Sequence, residues 1–321
     1  MKFRTEIAIA PWSEKLEYRD NIVCLGSCFA SNIAAKLKES KFNVADNPVG
    51  ILFNPASIAR SIRLMTSQTP ITLSDVFERN GRYVSFMFHS SLSGATPSEA
   101  IEVMQNAVNK GGEQLKNARL IIVTLGSAYV WRDRSGEVVA NCHQVGAKNF
   151  TTELLSLEQI VQKLEDIISL TSAKILFTVS PVRHLNDGLE GNFVSKALLR
   201  VAIEEVVRKY PERASYFPSY EIVMDDLRDY RFYDADMLHQ SSQAVEYIAD
   251  KFFTAALSER AKEQRSKVLE IVQARSHRPL NPKSEAYKNF CRQQLNAIAE
   301  LNEVDFSEEK SYFEQMLQIN L

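Results

Sequence analysis

Two stretches of the chain carry side chains of the kind that do covalent chemistry. The first is Gly26-Ser27-Cys28-Phe29-Ala30, directly after an apolar run at residues 22–25. The run reads as a short buried strand that Gly26 ends. Phe29, Ile33 and Leu37, four residues apart, then begin an amphipathic helix. Ser27 and Cys28 therefore stand at a strand-to-helix corner, where backbone N–H groups and the positive end of the helix dipole stabilise an oxyanion or a thiolate. The second stretch is Asp236-Met237-Leu238-His239. In Asp-x-x-His the histidine takes a nucleophile's proton, while the aspartate orients the ring and stabilises its cation. Alone, a Gly-Ser corner is more often a capped turn, and Asp-x-x-His is common on surfaces. Their joint placement singles them out: one opens the strand–helix alternation and the other opens its last helix. His239 is expected within hydrogen-bond reach of residue 27 or 28, about 3–4 Å in a resting enzyme.

The elements that must position these groups follow from the apolar pattern. Strands are expected near 22–25, 41–45, 120–125, 174–179 and 220–224, with Leu120-Ile121-Ile122-Val123-Thr124-Leu125 the clearest. Unbroken apolar runs of this length are what strands buried on both faces of a parallel sheet look like. Helices are expected from Pro55, over 98–116, 156–170 and 192–209, and up to about 257, and Asn54 is placed to cap the one that Pro55 begins. Residues 83–89 alternate roughly and read as a hairpin strand, and 131–142 read as a hairpin turning at Ser135-Gly136. Strands alternating with helices argue for a parallel sheet covered on both faces, with ligands beyond the carboxyl ends of its strands. Ser27/Cys28, Gly50, Gly126 and Ser180 each follow an expected strand. Residues 258–321 turn helical and highly charged, with apolar stripes through Phe290, Leu295 and Ile298 and through Phe313, Met316 and Leu317. The division is thus an α/β domain over 1–257 and a helical extension over 258–321.

The whole chain bounds what the protein does. Its 321 residues, 45% hydrophobic, can bury a full core, and a net charge of -2 implies no general affinity for nucleic acid or acidic lipid. Cys24, Cys28, Cys142 and Cys291 form no CxxC pair, which suits free thiols in a reducing compartment. No long apolar segment points to a membrane span or a secretory leader. The expected setting is the cytoplasm.

Gly26-Ser27-Cys28-Phe29-Ala30 resembles the naming motif of the GSCFA family. Asn47-Pro48-Val49-Gly50, followed by Asn54-Pro55, Ser180-Pro181 and the stretch from Asp225 to Tyr233 also look like this family. The group is similar to the SGNH (GDSL-like) hydrolases, whose final block Asp236-x-x-His239 matches. The resemblance covers roughly residues 20–257. It implies a three-layer α/β/α sandwich with a flavodoxin-like five-stranded parallel sheet. It also implies ester hydrolysis or acyl transfer, often on carbohydrate substrates, without a metal or other cofactor. SGNH enzymes carry Gly-Asp-Ser, so an ungapped match puts Cys28 at the nucleophile position, with Ser27 the alternative. A thiol at a helix N-terminus beside a histidine is expected to have a lowered pKa. The competing picture is a buried structural cysteine behind Ser27. Gly50 matches the second-block oxyanion glycine. Gly126 matches the third-block glycine, but that block lacks its asparagine, for which Asn141 or Asn54 stands as the substitute donor.

The remaining polar candidates are weighed by chemistry. Cys142-His143 has no zinc spacing, and His143 is better placed in a substrate-side loop. Arg183-His184 follows a strand end and suits a carboxylate or phosphate. Ser195-Lys196 reads as packing and solvation. The leading function is an esterase, deacylase or acyltransferase working on a small acyl group through a Cys/Ser-His-Asp constellation. The alternative is a catalytically weak or inactive binding protein on the same scaffold. The partner is a small-molecule or carbohydrate ester, and the C-terminal helices are the candidate contact for a homo-oligomer.

Overall fold

The computed structural model describes residues 4–318. In chain order its main elements are β1 (Asn21–Gly26), α1 (Cys28–Glu39), β2 (Asn43–Asp46), α2 (Pro55–Ser67), β3 (Phe77–Arg79), β4 (Arg82–Val84), α3 (Pro97–Lys116) and β5 (Leu120–Leu125). There follow β6 (Tyr129–Arg132), β7 (Val138–Val139), β8 (Thr151–Leu154), α4 (Leu157–Ser169), β9 (Lys174–Val179), α5 (Gly188–Lys209), β10 (Ala214–Tyr216), α6 (Ser219–Glu221) and α7 (Ser242–Ala256). The last three helices are α8 (Glu259–Ser276), α9 (Glu285–Glu300) and α10 (Ser307–Gln318).

Five strands form one parallel sheet flanked by helices, in the order β10-β9-β5-β1-β2. Numbered by their own sequence, these strands run 2-1-3-4-5, the flavodoxin-like arrangement. β1 pairs with β5 from Ile22↔Leu120 to Gly26↔Thr124, and β5 pairs with β9 from Leu120↔Lys174 to Leu125↔Val179. The registers bring the ends of all three central strands level, so Ser27, Gly126 and Ser180 emerge side by side. Val23, Leu25, Ile121, Val123, Ile175 and Phe177 pack with apolar residues of α2, α3, α4 and α5 in one cluster. Their strand neighbours Ile22, Cys24, Ile122 and Leu176 point to the opposite face and are equally buried. The sheet is therefore covered on both sides, as its unbroken apolar runs demand.

Two expected strands are corrected. Residues 220–224 are not a strand: α6 continues into a π turn over Ile222–Asp226, and the fifth strand is β10, just upstream. Ile222 and Val223 are buried either way, and a short apolar run alone does not separate strand from helix. Within 83–89, only the first residues pair, as β4 against β3, and Phe88 plugs the core from a turn. The 131–142 hairpin forms as β6–β7 and gains β8 on its other edge.

The chain divides into two compact units. The first holds Asn21–Ala34 and Val44–Ala249, with the described residues up to Ile9. The second holds Ala10–Asp20, Ala35–Asn43 and the chain from Asp250 onward. Within the second unit Tyr18 stacks on Phe42 at 4.2 Å between ring centroids, and Lys41 Nζ pairs with the buried Glu309 carboxylate at 2.7 Å. Every residue of the candidate site belongs to the first unit. Among the described residues no helix is long and apolar enough to cross a membrane.

Candidate active site

The corner after β1 is held in a shape only glycine allows. Gly26 has φ +129°, and a Cβ there would lie 2.1 Å from the Thr124 carbonyl oxygen. Its N–H donates to Asn47 Oδ1 at 2.8 Å, and its carbonyl accepts from Leu52 N–H at 3.0 Å. Asn47, itself at φ +42°, also donates its own N–H to Cys24 O and its side-chain amide to Ser31 and Asp46. Asn47 is thus the clamp of the corner, a role its Asn-Pro pair marked only as a loop signal.

The corner sets the two candidate nucleophiles in different surroundings. Ser27 is 1% exposed, its N–H donates to Thr124 O, and its Oγ is buried with no hydrogen-bond partner. Cys28 is partly exposed and begins α1. The arrangement is the reverse of a structural cysteine behind an outward serine. The expected low thiol pKa does not hold. Burial raises Cys28 above an ordinary thiol, outweighing the pull of the Phe29 and Cys28 N–H groups and of the Lys196 charge. The Asp236 carboxylate lifts it further. The resting group is a thiol.

The candidate base, His239, has a partner in place. His239 Nδ1 and Asp236 Oδ2 are 2.6 Å apart, and Asp236 Oδ1 also accepts the N–H of His239 at 2.9 Å and of Leu238 at 2.8 Å. These bonds, the ring's first among them, hold the Asp236 carboxyl down at about 2. Both side chains are almost half exposed. With Nδ1 engaged by the carboxylate, Nε2 is the nitrogen left for a nucleophile. Among the described residues no hydrogen bond joins His239 to Ser27 or Cys28. The Asp236 charge reaches Cys28 and the His239 charge reaches His184, so the dyad and the corner share one neighbourhood.

Lys196, read from sequence as packing and solvation, is packed but not solvated. It is 1% exposed on α5, and its Nζ donates to Gly126 O at 2.6 Å and Ser180 O at 2.8 Å. The neighbouring Ser195 Oγ accepts the Ala128 N–H at 2.7 Å. Two successive residues of α5 thus tie down the ends of β5 and β9. Burial pulls the Lys196 ammonium down to about 7; an anionic Cys28 would raise it, and Arg183 lowers it further.

The other candidates divide. His184 is close by: its Nε2 is 3.3 Å from where a Gly126 Cβ would be, and its ring meets Phe53 edge-on at 5.6 Å. Burial and then the Lys196 charge hold its imidazole near 4, so it is neutral at neutral pH. Arg183 lies in the same loop, its guanidinium 5.1 Å over the Tyr233 ring. The N–H groups of Gly50 and Gly126 are already committed, to Asn47 O and to Phe53 O, each at 2.7 Å. Asn54 caps α2, its Oδ1 accepting the Ser57 N–H at 2.7 Å, so only its amide NH2 remains to donate. Asn141 and His143 are bound to each other and to local packing: Asn141 Oδ1 accepts His143 N–H, and His143 Nε2 meets Ser85 O at 2.7 Å beside Phe77 and Phe86.

No curated protein matches the chain. The family model described as GSCFA domain protein, C-terminal domain, matches residues 268–319. The model described as GSCFA family matches residues 21–252, a span that holds both the corner at Cys28 and the Asp236–His239 pair, and the chain belongs to the GSCFA family.

Proposed function

We propose that the protein is an SGNH-like ester hydrolase or acyltransferase in which Cys28 attacks, His239 is the base and Asp236 orients it. The observation that carries this reading is the His239 Nδ1–Asp236 Oδ2 bond of 2.6 Å, made within charge range of a partly exposed cysteine at a helix N-terminus. His239 Nε2 takes the thiol proton as Sγ bonds to the ester carbonyl carbon. The oxyanion that forms is met by the N–H groups of Cys28 and Phe29, which already favour negative charge on the sulfur. The alkoxide leaves with the proton from His239, and a thioester remains. Water or an acceptor alcohol, deprotonated by His239, attacks the thioester, and the Cys28 thiolate leaves and is reprotonated. A cytoplasmic setting, where thiols stay reduced, suits this nucleophile. The test is turnover of p-nitrophenyl acetate by the wild-type protein and by His239→Ala. Turnover that survives in the variant at the wild-type rate refutes the reading.

A second reading, a binding protein on this scaffold, has one observation in its favour. Gly50 and Gly126, the glycines matching the oxyanion blocks, spend their N–H groups inside the protein. Equilibrium binding without turnover of any ester in a chain-length series separates the two.

A further inference from the structure

Beside the Asp236–His239 pair the first unit has a cavity of about 550 Å³, within the range of roughly 300–1,000 Å³ typical of small-molecule sites. Leu185, Leu189, Val223, Met224, Leu227 and Met237 form its apolar walls. Three of these are strikingly unprotected for their size: Leu185, Leu189 and Met237 are 53%, 61% and 51% exposed. Scattered apolar side chains on a surface mean little, but three gathered around one concavity mark a place where apolar matter binds.

The charged residues of the same lining can be accounted for one by one. Arg228 pairs with Asp225 at 3.0 Å, Asp229 with Arg231 at 3.5 Å, and Asp236 with His239. Arg183 is left over. Its Nη1 donates to the Tyr233 hydroxyl and its Nη2 sits 3.3 Å from the Met224 sulfur. Among the described residues no carboxylate lies within ion-pair distance of it. A guanidinium has five N–H donors, and a hydroxyl with a thioether leaves most of its capacity unused. The neighbouring buried cation, Lys196, adds positive field and no compensating anion. Tyr233 fixes the guanidinium plane by its ring and hydroxyl, so the fork is preorganised for a planar or tetrahedral anion.

We infer that this cavity binds the acyl part of the substrate, and that the acyl group is apolar and carries an anionic end, a carboxylate or a phosphate, that Arg183 receives. The inference rests on the proposed function only in naming the ligand as substrate; the binding of the apolar anion stands without catalysis. The chain of the ligand lies along Leu185, Leu189 and Met237, and its anion pairs the charge of the lining that has no carboxylate partner among the described residues. A neutral acyl chain would leave Arg183 without an anionic partner.

Two measurements on the full chain test it. Calorimetric binding to Cys28→Ala protein compares decanoate, decyl phosphate and decanol. Both anions are expected to bind at least tenfold more tightly than the alcohol. Arg183→Gln is expected to remove that preference, while Arg183→Lys keeps part of it; thermal melting of each variant establishes that it folds. The two anions separate the sources of the charge. Equal affinity for decanol and decanoate, or a preference that persists in folded Arg183→Gln, overturns the inference. Turnover of p-nitrophenyl esters with neutral and ω-carboxylate acyl chains is read separately. A carboxylate preference in binding with no turnover of any ester upholds the pocket and refutes the enzymatic reading. Turnover that is indifferent to the carboxylate does the opposite.

Discussion

Lys196 Nζ donates to the carbonyl oxygen of Gly126 at 2.6 Å. This bond joins the middle of a helix to the end of the central strand, within charge range of Cys28. A buried ammonium held by two carbonyls and no carboxylate gives up its proton more readily than an ordinary lysine, so it carries its positive charge only up to about neutral pH.

The Lys196 charge should be visible in stability. Its native pKa is about 7 against an ordinary 10.5, so between these values the unfolded chain holds a proton that the native protein does not. Native stability therefore rises with pH through that window and is flat below it. Lys196→Met should remove about one proton from the difference, a loss of slope of about 1.4 kcal/mol per pH unit between pH 7 and about 8.5. Urea unfolding at several pH values in wild type and variant measures this. Parallel curves in that window would count against the buried charge.

With Cys28 proposed as the attacking group, Ser27 is a buried support of the corner. Cys28→Ala should abolish ester turnover. Ser27→Ala should keep most of it, with stability changed by no more than about 1 kcal/mol, because the hydroxyl it removes makes no hydrogen bond. Because burial raises the Cys28 thiol, its alkylation by iodoacetamide should have a midpoint above that of an ordinary cysteine. Mass spectrometry of the labelled peptide across pH reads this, and a midpoint near neutrality would contradict the resting geometry.

Asp236 should act through His239 and not through the fold. Asp236→Asn should lower kcat by on the order of 10²–10⁴-fold, as loss of an orienting carboxylate does elsewhere, with melting hardly moved because the side chain is almost half exposed. Since the native carboxyl titrates at about 2, against 3.8 ordinarily, it stays ionised through mildly acidic pH. Any acid limb in the rate above about pH 4 should therefore belong to another group.

Asn47 and Gly26 should be the costly positions of the corner. Asn47→Ala leaves the buried Gly26 N–H without its acceptor, an expected loss of roughly 1–3 kcal/mol together with a fall in kcat. Gly26→Ala adds a Cβ 2.1 Å from a carbonyl oxygen in a left-handed conformation, and should cost more, roughly 3 kcal/mol or above. Thermal melting ranks the two, and the reverse order would show that the turn relaxes.

The sequence by itself determined the parts that depend on local chemistry and on period. The apolar runs at β1, β5 and β9 need burial on both faces whatever surrounds them, which makes a covered parallel sheet the answer. Gly26 announced the corner, and Asp236-x-x-His239 closes its hydrogen bond within one four-residue loop, so neither needed the rest of the fold. The tertiary structure decided whatever depends on distant partners. Residues 220–224 became a helical turn and Ala214–Tyr216 the fifth strand, because the apolar run fits either conformation and strand pairing beside β9 selects between them. Lysine is almost always solvated, so Lys196 gave no sign of burial; carbonyls 70 and 16 residues away in sequence hold it. The same holds for Cys28: a helix N-terminus lowers a thiol's pKa, but how deeply the thiol is buried is a property of the assembled site, and there burial prevailed. Arg183 is different again: the carboxylates of its cavity are claimed locally, by Arg228, Arg231 and His239 two or three residues away, while its own partners, Tyr233 and Met224, lie 50 and 41 residues along the chain and only the fold brings them to it.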